Sequence, residues 1–139
     1  MLKLVTGTKG EGKTKYMLSA CNEDGNTSDG VVIYIDKNND HMYQLNRKIR
    51  FVNISEYPVS SVDGIIGFIC GLVAGNSDIQ AIYFDSFLTI TKVAPADIGA
   101  TLDEITASSK DLGVDFILSL SMDPSDIPAG YKENILQAL

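Results

Sequence analysis

The sequence predicts an α/β fold, a three-layer α/β/α sandwich built on a mainly parallel sheet, and three observations predict it. Apolar, β-branched runs recur at 2–6, 31–36, 79–84 and 114–121. Continuous runs of this kind belong to strands buried on both faces, with helices above and below. Between them lie stretches whose apolar residues follow helical spacing, and strands that alternate with helices need crossover connections. A chain of 139 residues, 45% hydrophobic and 21% charged, suits one globular domain spanning 1–139 around a single substantial core.

Taken in order, Leu2–Thr6 reads as a strand and 15–21 as a helix that opens near Gly12. The polar segment 22–30 reads as an exposed loop, being rich in turn residues. Val31–Asp36 is a buried strand ended by a carboxylate. Asn38, Asn39 and Asp40 signal a short helix to about Lys48, with Met42, Leu45 and Ile49 as its buried stripe. Residues 51–54 form a shorter strand at an edge. Ser60 to Asp63 opens a helix carrying Ile65, Ile66, Phe68, Ile69, Leu72 and Val73, stopped by Gly75 and Asn76 and well packed against the sheet. Residues 79–84 are the next buried strand, ended by Asp85. Pro95, Ala96 and Asp97 open a helix with Ile98, Leu102 and Ile105 on one face, and Gly113 closes it. Residues 114–121 are the last strand, 122–128 a turn-rich exit, and 131–139 a terminal helix.

The stretch between the first strand and first helix carries the chemistry. Gly7-Thr8-Lys9-Gly10-Glu11-Gly12-Lys13-Thr14 fits G-x-x-x-x-G-K-[ST], the phosphate-binding loop, without a mismatch. Glycines let the backbone turn and bring its N–H groups close to phosphate oxygens. The helix that follows aims unpaired N–H groups and its positive dipole end at the same anion. Lys13 has the reach for the β- and γ-phosphates, and the Thr14 hydroxyl is a magnesium ligand. Ligands of open parallel sheets bind beyond the carboxyl ends of the strands. That rule sets Gly7–Thr14, Asp36, Asp85 and Ser121 along one rim. Asp85, at the end of an apolar strand, is the second expected support for magnesium.

Charge and composition exclude other classes. A net charge of −7 and a pI near 4.5 argue against a nucleic-acid groove, and Arg47, Lys48 and Arg50 are too small a basic patch to make one. No apolar run is long enough to span a bilayer, and no basic-then-apolar signal segment opens the chain, so a cytoplasmic location is expected. Cys21 and Cys70 fall on separate helices and read as reduced, buried thiols. His41, the single histidine, leaves no room for histidine-based metal or triad chemistry.

On the residues GTKGEGKT at 7–14, VVIYID at 31–36, IYFD at 82–85 and FILSLS at 116–121, the chain resembles the P-loop NTPase superfamily and, within it, the RecA-like ATPases. The resemblance follows most of the chain in order of elements, and its first motif is the specific one. It implies a P-loop NTPase fold, with a nucleoside triphosphate, ATP, held by Gly7–Thr14. It further implies magnesium at Thr14 and Asp85, and the Ser119 and Ser121 strand end beside the γ-phosphate. The catalytic Glu of such ATPases has no counterpart, since the matching positions hold Asn38 and, after Asp85, Ser86. Hydrolysis needs a group that orients and deprotonates water, so slow turnover or a nucleotide-switch role is expected, with Lys13 and Asp36 as the candidate catalytic residues. Asp40 and Glu11 are further candidates for that base. A GTPase would carry N-K-x-D, which 91–94 does not supply, and a nucleotide-monophosphate kinase would use several arginines where this chain has two.

Two other readings stand beside ATP binding. In one, the protein is a phosphotransferase, Asp36 is the base for a small acceptor's hydroxyl, and 22–30 or 37–50 is a lid. In the other, a degenerate fold works as an interaction module without turnover, with Tyr34, Tyr43 and Tyr57 meeting a partner, although packing suits Tyr34 better. A protein partner or a second copy of the chain, which would supply a missing arginine, is compatible with each.

Overall fold

The computed structural model describes residues 1–8, 10 and 12–139, and Lys9 and Glu11 of the expected phosphate loop lie outside the described residues. Among the described residues six strands form one all-parallel sheet: β1 (Leu2–Thr6), β2 (Val31–Asp36), β3 (Ile49–Asn53), β4 (Ile79–Phe84), β5 (Asp115–Leu120) and β6 (Ile135–Ala138), in the order β3-β2-β4-β5-β1-β6. The four α-helices described are α1 (Lys13–Thr27), α2 (Val62–Gly75), α3 (Phe87–Thr91) and α4 (Ile98–Leu112).

Side-chain alternation along the strands divides the core in two. Val5, Val32, Tyr34, Ala81, Tyr83 and Ile117 point to one face and pack with Met17, Leu18 and Cys21 of α1. Leu4, Ile33, Ile35, Ile82, Phe84 and Leu118 point to the other, where they meet Ile65 and Ile69 of α2, Phe87 of α3, and Ile98, Leu102 and Ile105 of α4. Helices therefore cover both faces, which is why the central strands are apolar throughout. Ser61 caps α2, its hydroxyl accepting from the Gly64 N–H at 3.0 Å, and Gly113 closes α4 in the left-handed conformation, both as their sequence signals predict.

Several expectations are corrected. The polar segment 22–30 is not a loop throughout, because α1 runs on to Thr27. Its polar residues are satisfied from outside the helix: Asn22 and Asn26 bond to Asn46, and Gly25 packs under Ile49. The helix expected up to Lys48 is only a single 3-10 turn, Met42–Gln44, and its supposed stripe residue Ile49 begins β3 instead. That edge strand therefore starts earlier than 51 and ends at Asn53. The terminal helix is replaced by a 3-10 segment, Ala129–Asn134, and strand β6, which the free edge of β1 recruits: Asn134 Nδ2 donates to the Leu2 carbonyl at 2.8 Å and the Leu139 N–H to that of Thr6 at 2.9 Å. Helix α2 buries only Ile65 and Ile69 fully, and Cys70 on it is exposed, not buried. Helix α3, directly after Asp85, was not expected.

Candidate functional site

The loop after β1 is shaped by backbone conformation. Gly10 and Gly12 have φ of 89° and 85°, and among the described residues an added Cβ at either would meet nothing within 4 Å. The glycines are required by their left-handed torsions, not by crowding. Gly12 is the N-cap of α1, which has no side-chain cap and no acidic residue in its first turn, so neither competes there with an anion. Gly7 is anchored from behind, its N–H donating to the Met122 carbonyl at 3.0 Å. Lys13, 8% exposed, folds its Nζ back to the Thr8 carbonyl at 3.0 Å, so its ammonium is held beside the loop.

Asp85 is the hub. Register explains its surroundings: Tyr34, Tyr83 and Ile117 lie level across β2, β4 and β5 on the α1 face. Two residues further along each strand come Asp36, Asp85 and Ser119, on the same face and level with the start of α1. The Asp85 carboxylate is 3% exposed and accepts four hydrogen bonds. Thr14 Oγ1 donates to Oδ2 at 2.9 Å and the Tyr34 phenol donates to the same oxygen at 2.8 Å. Ser119 Oγ donates to Oδ1 at 2.6 Å and the Ser86 N–H joins it at 2.9 Å. Ser86 takes a left-handed φ of 57° to aim that N–H, which Ser119 Oγ also accepts at 3.1 Å.

Asp36 sits beside this hub at the end of β2, also buried, and accepts the Lys37 N–H at 2.7 Å. Burial pushes its carboxyl up to about 6; the Lys37 N–H opposes the rise, and the negative charge of Asp85 adds to it. Burial, then Asp85, raise the Tyr34 phenol far above its ordinary value, so it stays a proton donor.

A cleft of about 420 Å³ opens over these groups, lined by Gly10, Gly12, Lys13, Thr14, Lys37, Asp85, Ser86, Thr89, Ser119 and Ser121. A larger depression, about 740 Å³, adjoins it, with Thr8, Pro95, Ala96, Ser121, Met122, Asp123 and Asp126 around it. Ser121 borders both. Among the described residues the smaller cleft carries Lys13 and Lys37 and the start of a helix beside the hydrogen-bonded Asp85 carboxylate, while the larger carries Asp123 and Asp126 and no lysine. The smaller cleft is therefore the less unfavourable of the two for an anion.

Of the expected site residues, Gly10, Gly12, Lys13, Thr14, Asp85 and Ser121 are thus gathered at one cleft. Gly7 is buried behind the loop, Thr8 is exposed on the side of the larger depression, and Asp36 stands behind the cleft wall, where Lys37 takes its place in the lining. Sequence reasoning missed Lys37, Ser86, Thr89 and the bond from Tyr34. The signal for Tyr34 was available: it lies two residues before Asp36, on the strand face that Asp85 shares.

The donors fit magnesium better than a softer metal. Thr14 offers a hard oxygen donor, and Asp85, whose oxygens already accept four hydrogen bonds, could support such a cation through the Thr14 hydroxyl or a water. A cation of this kind takes one or two protein oxygens and completes its shell with phosphate and water. Among the described residues no three His, Cys, Asp or Glu side chains form a metal-binding group. Among the described residues no helix is long and apolar enough to cross a membrane. No protein-family model matches the chain, and no curated protein matches it either.

Proposed function

We propose that this protein binds a nucleoside triphosphate, ATP, together with magnesium, in the cleft at the start of α1, and turns it over slowly or uses it as a switch. The observation that carries the reading is the 2.9 Å bond from Thr14 to Asp85, which joins the ends of two motifs 71 residues apart beside the Lys13 ammonium. The two motifs lie far apart in sequence, and their meeting at one hydrogen bond supports a shared phosphate and metal site.

In this reading the amides of Gly10, Gly12, Lys13 and Thr14 cradle the phosphates, and Lys13 exchanges its bond to the Thr8 carbonyl for phosphate oxygens. Thr14 would hold the magnesium, with Asp85 supporting it through the Thr14 hydroxyl or a water, and the ion would supply positive charge against the phosphates. Lys37, Thr89 and Ser121 border the cleft where the terminal phosphate's oxygens need donors. Burial raises the proton affinity of Asp36, but Asp36 does not line the cleft, so water activation is poor and turnover slow. The protein falls in the class of P-loop NTPases on this account, as a small ATP-binding protein of the RecA-like type.

Titration of the chain with ATP, GTP and ADP, with and without magnesium, tests the reading. Lys13→Ala should weaken triphosphate binding at least a hundredfold, and unaltered affinity in that variant would remove the proposal. The phosphotransferase reading draws on the same raised proton affinity of Asp36, and ATP consumption that depends on an added acceptor would favour it.

A further inference from the structure

Resting on the nucleotide reading, we infer that Tyr34, assisted by Ser119, is the positioning residue that aims Asp85 and, through it, the metal-facing hydroxyl of Thr14. The four donors around the carboxylate are not equivalent. Ser119 and the Ser86 N–H hold Oδ1 from β5 and from the junction after β4. Oδ2 has two donors, Thr14 from α1 and Tyr34 from β2. Thr14 has a single hydroxyl proton, and while that proton is given to Oδ2 the oxygen's lone pairs are turned away from Asp85, available to a cation. The direction of those lone pairs is therefore set by where Oδ2 sits.

Tyr34 sets that position from the buried side. Its side chain is 0% exposed and lies in the same apolar layer as Met17 and Cys21. Its ring is stacked on Phe51 of the edge strand, centroids 6.4 Å apart and planes 16° from parallel. A ring enclosed in this way cannot follow a carboxylate that rotates, so the phenol is a fixed post and the carboxylate conforms to it. Simple filling of the core would need only phenylalanine at 34. The hydroxyl has no described hydrogen-bond partner other than Asp85.

The test compares the gain in ATP affinity on adding magnesium between variants, measured by calorimetry at equilibrium and not by turnover. Tyr34→Phe keeps the ring and removes the post. It should leave magnesium-free ATP affinity within about twofold and cut the magnesium-dependent gain by about tenfold, the scale of one charge-assisted hydrogen bond. Tyr83→Phe is the control, since it removes another largely buried phenol proton on the same sheet face, one given to Asp24 and the Ala20 carbonyl away from the cleft. It should leave the gain unchanged. Ser119→Ala, acting on the opposite oxygen, should also reduce the gain, and it carries the test if Tyr34→Phe does not fold. An unchanged gain in Tyr34→Phe, an unchanged gain in Ser119→Ala where that variant stands alone, or an equal loss in Tyr83→Phe would overturn the positioning role while leaving nucleotide binding intact. A wild-type chain that binds no ATP at all, with or without magnesium, would instead take the nucleotide reading down with it.

Discussion

Asp36 and Asp85 end adjacent strands on the same face, and the fold treats them differently. Asp85 receives four donors, whereas Asp36 has one described N–H donor and pays a desolvation penalty that lifts its carboxyl to about 6. An acid whose folded pKa is raised binds more protons in the native than in the unfolded chain between about pH 4 and 6, so stability falls as pH rises through that window. Asp36→Asn removes the ionised form and retains an acceptor for the Lys37 N–H. It should raise the melting temperature at pH 7 by a few degrees and flatten the pH dependence between 4 and 6, as read by thermal unfolding across pH. Asp85→Asn should instead destabilise the fold. Whichever way its amide turns, an NH2 group faces donors, and at Oδ1 the Ser86 N–H cannot turn round to accept. A loss of about 1–3 kcal/mol in denaturant unfolding is expected. The residues of this site were legible in unequal measure. The motif names Lys13 and Thr14 outright, and a carboxylate at a strand end marks Asp85. Lys37 and Thr89 carry no motif, and only the turn of the chain after each strand brings them to the cleft.

At the scale of elements, the central strands and the helices with clear caps follow from the sequence because packing and local preference agree there. Three segments do not follow, each for a physical reason. The C-terminal half of α1 is polar and turn-like, and it is helical because Asn46 and Ile49 pack against it from the next connection. Met42 to Ile49 has helical spacing, yet Ile49 gains more by pairing with Val32 at the edge of the sheet. Ile135–Ala138 is too short to declare itself, and the unpaired edge of β1 decides its state. Helix α3 ends at Lys92, a non-glycine residue held at φ 56°. Left-handed torsions cost L-residues about 1–2 kcal/mol, and glycine escapes that cost at some expense in chain entropy. Lys92→Gly should therefore stabilise the protein by up to about 1 kcal/mol in denaturant melts, with ATP binding unaffected because Lys92 does not line the cleft.

Over the whole molecule, an acidic chain has gathered, among the described residues, Lys13, Lys37 and a helix start at one end of a parallel sheet, next to a depression bordered by Asp123 and Asp126. The convergence at the carboxyl edge was readable from the order of strands and their final residues. The division into a cationic cleft and an acidic neighbour was not, because Asp123 and Asp126 come from the exit after β5, whose path no periodicity specifies. The two clefts also give the account its most direct test. In a backbone-assigned 1H–15N NMR spectrum, ATP with magnesium should shift the amides of Gly10, Gly12, Lys13 and Thr14 most, with smaller changes at Ser86 and Ser121. No change at saturating nucleotide, or shifts confined to the amides of Ala96, Met122, Asp123, Ser125 and Asp126, would contradict the assignment of this cleft to a triphosphate.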